Sequence, residues 1–219
     1  MTYLPCVEVS PRGPVTASVV WLHGLGASGH DFEPVVPMLR LPHVRFVFPH
    51  APDRPVTVNG GYVMPSWYDI RHLDFVSPDR ESDADILESS VAVTALLARE
   101  VERGLPPSRT VLAGFSQGGA IALHVGHRHP QTLAGIMALS TYLVRQGAMG
   151  EGSPANADTP MFFGHGRFDP VVPMFAGKAS HDVFARPGRD VVWRDYPMEH
   201  AVCPEELADI ARWLHQRIG

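Results

Sequence analysis

Residues 110–121 read TVLAGFSQGGAI. A β-type run passes straight into a small-residue, helix-type run (QGGAIALHVGH), and Ser116 stands at the junction with Gly114 and Gly118 two positions to either side. A strand that turns into a helix without a loop sends the chain back over its own sheet, and that restricts the fold to helices layered on a sheet. The glycines fit a turn too tight for larger side chains. The helix start also brings free N–H groups and a partial positive charge beside the Ser116 hydroxyl.

The rest of the chain repeats this alternation. Apolar β-type runs occupy 15–24, 44–50, 132–140, 160–166 and 190–197. Helix-type segments occupy 31–40, 82–104, 117–128, 174–185 and 204–219. Asp31 is a candidate cap for the first helix, and Ser82 or Asp83 for the second. In the second, Ile86, Val93, Leu96 and Leu97 recur on one face. Pro204, Glu205 and Glu206 suit the first turn of the last helix. The strands show little in–out alternation, which predicts a mostly parallel sheet with helices on both faces. The stretch 51–82, rich in Pro and Gly, has no clear period, but Trp67, Tyr68 and Phe75 predict an ordered loop. With 219 residues and 45% hydrophobic residues, the expectation is one domain, 1–219, with a substantial core.

Charge and composition exclude several classes. The formal net charge is −5, which disfavours a nucleic-acid surface. No apolar run approaches the ~18 residues that span a bilayer, so no stable membrane insertion is expected. The opening MTYLPCVEVSPRG carries no secretory pattern. Cys6 and Cys203 are the two cysteines, in no metal-like spacing, and are expected to be reduced thiols in a cytoplasmic protein.

A serine hydroxyl is a poor nucleophile and needs a base, which in turn needs an orienting group. The run PMFFGHG leads into RFDPVVP and puts Asp169 on a loop after a strand. The run DVVWRDYP leads into MEHAV and puts His200 after the last strand. Parallel strands open their C-terminal ends on one side, so Ser116, Asp169 and His200 can converge there. Asp158, Asp182, Asp190 and Asp195 fall before or inside elements and are weaker candidates. Of the 12 histidines, only His200 follows the final strand and precedes the last helix. His124, His127 and His129 have a metal-like spacing but no acidic or cysteine partner, and His165 reads as structural; no metal is expected. The loop HGLG after the first long strand, with the N–H of Gln117, can supply donors to a developing oxyanion. Leu25, Met64, Trp67, Tyr68, Phe75, Val171 and Val172 are candidates for an apolar substrate groove.

Taken together, LHGLGASGHDF, PVTVNGGYVMPSWYDI, GFSQGGAIAL, GRFDPVVP and the histidine of MEHAV resemble the phospholipase/carboxylesterase family of α/β-hydrolases, which includes carboxylesterases and acyl-protein thioesterases. The resemblance runs from about residue 19 to 203. It implies an α/β-hydrolase fold with no separate lid domain, Ser116, Asp169 and His200 as the triad, and the backbone N–H groups of Leu25 and Gln117 as the oxyanion hole. His50 stands where the family usually has asparagine, and Tyr68 where phenylalanine is common. The implied activity is that of a serine carboxylesterase, working on short- to medium-chain carboxylic esters through an acyl-enzyme without a cofactor. The alternatives are an acyl-protein thioesterase or lysophospholipase using the same triad and, more remotely, a non-catalytic ligand-binding relative. A monomer or homodimer is expected. Only the backbone of Gln117 is given a role, so Gln117→Ala is expected to keep much of the activity.

Overall fold

The computed structural model describes residues 3–75 and 77–219. Its main sheet has seven strands: β1 (Cys6–Val9), β2 (Ala17–Leu22), β3 (Val44–Pro49), β6 (Thr110–Phe115), β7 (Gly135–Leu139), β8 (Met161–Gly166) and β9 (Val191–Tyr196). The two intervening strands, β4 (Asp53–Val56) and β5 (Tyr62–Pro65), form a separate antiparallel pair. Five α-helices follow the chain: α1 (Val36–Leu39), α2 (Asp83–Glu102), α3 (Gln117–Arg128), α4 (Met174–Phe184) and α5 (Pro204–Ile218).

The sheet order is β1-β3-β2-β6-β7-β8-β9, parallel throughout except for β1. Successive side chains of a strand point to opposite faces, and both faces are covered. Val20 and Leu22 pack with α2, α3 and α4 residues such as Leu96, Ile121 and Phe184. Val19 and Trp21 pack with Leu39 of α1 and with Ile210, Trp213 and Leu214 of α5. Every β2 residue is buried, so a sequence apolar but for Ser18, whose hydroxyl meets that of Thr110 at 3.1 Å, is what a two-faced core requires. Ser82 caps α2 by accepting the Asp85 N–H. Its predicted apolar face is buried, with Ile86, Val93 and Leu96 fully so, each worth about 1.5–3 kcal/mol on transfer.

From β2 the chain steps to β3, which lies between β2 and the edge strand β1, and from β6 it runs the other way through β7, β8 and β9. Between β2 and β6 the connections therefore diverge and leave a crevice at the strand C-termini. The HGLG loop leaves β2 and Ser116 leaves β6 at this point.

Some local expectations are corrected. β1 was unforeseen: its four residues alternate, and Val7 and Val9 cover one face while Glu8 pairs with Arg99 and Arg103. The helix expected at 31–40 is a 3₁₀ turn (Glu33–Val35) and a single α-turn ending in left-handed Arg40. Pro34 and Pro37 remove two amide donors there, and Asp31 is not its cap. The described residues of the 51–82 loop include the β4–β5 hairpin and a bridge between Ile70 and Glu81, while residue 76 lies outside the described residues. Strand β7 starts only at Gly135, and the region 144–158 contains two 3₁₀ turns. Among the described residues there is no inserted lid domain and no helix long and apolar enough to cross a membrane.

Candidate active site

Ser116 has φ 53° and ψ −121°, a conformation L-residues rarely adopt. Its surroundings fix it there. The Ser116 N–H donates to Leu139 O at 2.8 Å, and its carbonyl accepts from Thr141 Oγ1 at 2.6 Å and from Ala120 N at 3.1 Å. Two glycines make the turn sterically possible. A Cβ on Gly114 would lie 2.3 Å from Gly118 O, and one on Gly118 would lie 2.4 Å from His23 O. The serine is 8% exposed.

His200 and Asp169 meet it. His200 Nε2 lies 2.9 Å from Ser116 Oγ, and His200 Nδ1 lies 2.7 Å from Asp169 Oδ2. A carboxylate accepts, so Nδ1 carries the proton and Nε2 presents its lone pair to the serine. Asp169 Oδ1 accepts from Val171 N and Val172 N, both at 2.8 Å. Burial works against the Asp169 charge, but hydrogen bonds from His200 and the Val172 and Val171 amides prevail and hold the carboxyl below its ordinary value. His165 donates Nε2–H to Val172 O at 2.8 Å and supports the same turn, and burial lowers the pKa of its imidazole. The Phe115 ring packs against His200 at 4.8 Å between centroids. The other four aspartates lie elsewhere; Asp182, Asp190 and Asp195 pair with Lys178, Arg217 and Arg167.

The loop after β2 is pinned from several directions. His23 donates Nδ1–H to Gly24 O at 2.7 Å and accepts the Ala51 N–H on Nε2 at 3.0 Å, a pattern only the neutral ring can make. Burial lowers its pKa accordingly. Trp67 Nε1 donates to His23 O at 2.9 Å, Gly26 N to Pro65 O at 2.9 Å, and Gly29 N to His50 Nδ1 at 3.2 Å. The N–H groups of Leu25 and Gln117 have no partner among the described residues. Gln117 follows the serine at the start of α3, and Leu25 follows Gly24, whose Cβ position lies 3.4 Å from Ser116 Cβ. Such donors can stabilise negative charge developing on a substrate oxygen.

A hydroxyl, an imidazole and a carboxylate in line, on strand ends beside unpaired amides, suit acyl transfer. The family model described as Phospholipase/Carboxylesterase matches residues 5–218. The chain belongs to this family. Acyl-protein thioesterase 1 of Cryptococcus neoformans is 40% identical over 237 residues, covering 99% of each chain. The crystal structure of Arabidopsis thaliana SOBER1 superposes with a TM-score of 0.86 at 30% identity, covering 94% of this chain and 100% of the other. Zea mays acyl-protein thioesterase 2 gives a TM-score of 0.85 at 29% identity, covering 99% and 100%. The protein is an ester or thioester hydrolase with the α/β-hydrolase architecture.

Within this phospholipase/carboxylesterase chain the expected groove residues divide. Trp67, Tyr68 and Val172 are core residues, with 0%, 0% and 2% exposure, and line no open groove. Each supports the site from beneath: Trp67 through His23, Tyr68 through Gln117, and Val172 through Asp169. Met64 lies against the 24–26 loop, with its sulfur 3.6 Å from the Cβ position of Gly26. Val171 is 56% exposed. Phe75 lines a cavity of about 580 Å³ with Arg80, Tyr142, Arg145, Gln146 and Phe175.

The Gln117 side chain has a role that sequence reasoning did not assign. Its Oε1 accepts from Trp67 N at 2.8 Å, and its Nε2 donates to Tyr68 O at 2.6 Å and Ser66 Oγ at 3.0 Å. It thus clamps the 66–68 segment to the start of α3. Phe115 and Thr141 were also missed. Phe115 sits inside the serine motif, and Thr141 follows a strand end, which was the available signal. The three spaced histidines do not converge: His127 approaches Met149 O, His129 approaches Gln131 O, and the His124 Nδ1 has no partner.

Proposed function

We propose that Ser116 is the nucleophile, His200 the general base and then acid, and Asp169 the group that orients and stabilises the imidazolium. The hydrogen-bonded line from Asp169 through His200 to Ser116, at 2.7 and 2.9 Å, carries this reading. The substrate carbonyl oxygen lies toward the N–H groups of Leu25 and Gln117. As Ser116 Oγ attacks, its proton passes to His200 Nε2. The leaving alcohol or thiol takes that proton, and water then releases the acyl group by the same route. The same reading takes residues 1–219 as one hydrolase domain.

The substrates are short- to medium-chain carboxylic esters, supported by a cavity of about 580 Å³ whose wall includes Tyr142, the residue after the Thr141 that holds the Ser116 carbonyl. A second reading, hydrolysis of S-acyl groups on proteins, is favoured by a specific observation: relatives 40% identical along the whole chain are named acyl-protein thioesterases. Comparison of kcat/KM on p-nitrophenyl esters from acetate to palmitate with that on S-acylated peptides tests the choice. Peak activity at four to eight carbons, above that on the peptides, is expected. A maximum at palmitate with higher activity on the peptides replaces the ester reading with the thioester one.

A further inference from the structure

The 580 Å³ cavity is built on segments that also carry the proposed machinery. Tyr142 follows Thr141, whose hydroxyl holds the Ser116 carbonyl. Tyr68, whose carbonyl Gln117 holds, meets Tyr142 hydroxyl to hydroxyl at 2.8 Å. Phe175 and Ala176 open α4, just beyond the Asp169 turn.

The buried wall of this cavity contains a charge. Arg80 is 7% exposed, and its guanidinium carbon lies 4.1 Å from the Phe75 ring centre and 4.6 Å from that of Tyr142. Its Nη1 donates to both Glu81 Oε1 and the Tyr142 hydroxyl. Its Nε is buried with no partner, and Nη2 has none among the described residues. That pair of N–H groups is one of the guanidinium edges that can take two oxygens of a carboxylate or phosphate at once. The other charges on the cavity wall are engaged. Glu81 holds Nη1 of the same arginine, and Asp83 pairs with Arg145 at 3.0 Å. A buried donor without a partner is costly to keep, and the aromatic faces hold the guanidinium plane in place.

We propose that this cavity receives an anionic group of the substrate, a carboxylate or a phosphate, on the Nε/Nη2 edge of Arg80. The enzyme's preferred esters then carry a negative charge a few bonds from the cleaved carbonyl. This rests on the reading of Ser116 as nucleophile, whose carbonyl is held by Thr141, the residue before Tyr142 of the cavity wall.

The test compares matched pairs. Mono-p-nitrophenyl adipate against p-nitrophenyl hexanoate probes a carboxylate at the acyl end. Hexanoylglycerol phosphate against monohexanoylglycerol probes a phosphate on the alcohol side. In at least one pair the wild-type kcat/KM for the anionic member is expected to be higher by about tenfold or more, and Arg80→Gln is expected to bring that ratio to one or below. Binding of monoethyl adipate and ethyl hexanoate to Ser116→Ala, by calorimetry, reads the cavity without chemistry and without altering Arg80. It stays decisive if Arg80→Gln does not fold or if the nucleophile reading fails. Equal or better use of the neutral member in both pairs, with no tighter binding of the anionic ester to Ser116→Ala, overturns the proposal. A preference that survives in folded Arg80→Gln overturns it as well.

Discussion

Ser116 holds a backbone conformation that folding must stabilise, at φ 53°, and the groups that stabilise it also aim its hydroxyl. The Thr141 hydroxyl, the Leu139 carbonyl and two glycines leave the side chain one exit, toward His200. The identity of the polar residues here was legible in the sequence because each proposed triad member follows a readable strand. The supporting contacts were not, since they depend on which loops meet. Gln117 shows the difference. The motif gives its backbone a role, yet its amide side chain satisfies the Trp67 N–H and the Tyr68 carbonyl. Gln117→Ala leaves the Trp67 N–H buried and unpaired, at about 1–3 kcal/mol, and leaves the Tyr68 carbonyl with the Ser66 hydroxyl as its remaining donor. It is therefore expected to lower stability and kcat/KM together, where the motif alone leads to the expectation that much of the activity is kept. Urea unfolding and ester hydrolysis measured side by side check this; unchanged values for both contradict the clamp. The departures at His50 and Tyr68 are used by this chain: His50 accepts the Gly29 N–H, and the Tyr68 hydroxyl meets Tyr142.

At the scale of elements, long segments with one clear period were legible. Strands β2, β3, β6, β8 and β9 and helices α2, α3, α4 and α5 follow from apolar runs and caps. Short elements were not. β1 has four residues, and the β4–β5 hairpin contains Pro55 and Pro65, which read as breakers. A close approach of elements occurs where α3 meets the end of β2. Residues 117–126 are all buried, and a Cβ at Gly118 would meet His23 O at 2.4 Å and Leu22 O at 2.6 Å. Neither backbone oxygen can swing aside as a side chain would. Gly118→Ala is expected to cost about 1–3 kcal/mol, as overpacking does, and to displace the loop carrying Leu25. A fall in both Tm and kcat is the expected result; a Tm within a degree of wild type contradicts the packing.

For the whole molecule, two buried groups pull the pH dependence of stability in opposite directions. Glu206 is 0% exposed, neither of its oxygens has a partner, and burial pushes its pKa up to about 8. An unfolded glutamate releases its proton near ~4.3, so the folded state holds the extra proton between those values. Stability from Glu206 is full below the unfolded value and is lost as pH rises through about 8. His124 works oppositely. Burial, aided by Arg128 and Arg145, lowers its pKa to about 4, so its contribution is present above the unfolded value, ~6.5, and lost as pH falls through about 4. The two slopes offset each other in mildly acidic solution, and of these two the Glu206 slope, up to about 1.4 kcal/mol per pH unit, remains from near neutrality to about 8. Urea unfolding of wild type and Glu206→Gln at pH 6.5 and 8 is expected to show a decline in wild type that is reduced in the variant; parallel declines contradict the assignment. The central claim is that one serine, activated through His200 and Asp169 on the strand ends, forms the covalent intermediate. Its most direct test is the intact mass and peptide map of the protein after treatment with a fluorophosphonate. The account predicts a single adduct on Ser116 in wild type and none in Ser116→Ala. An adduct on another residue, or undiminished labelling of Ser116→Ala, contradicts it.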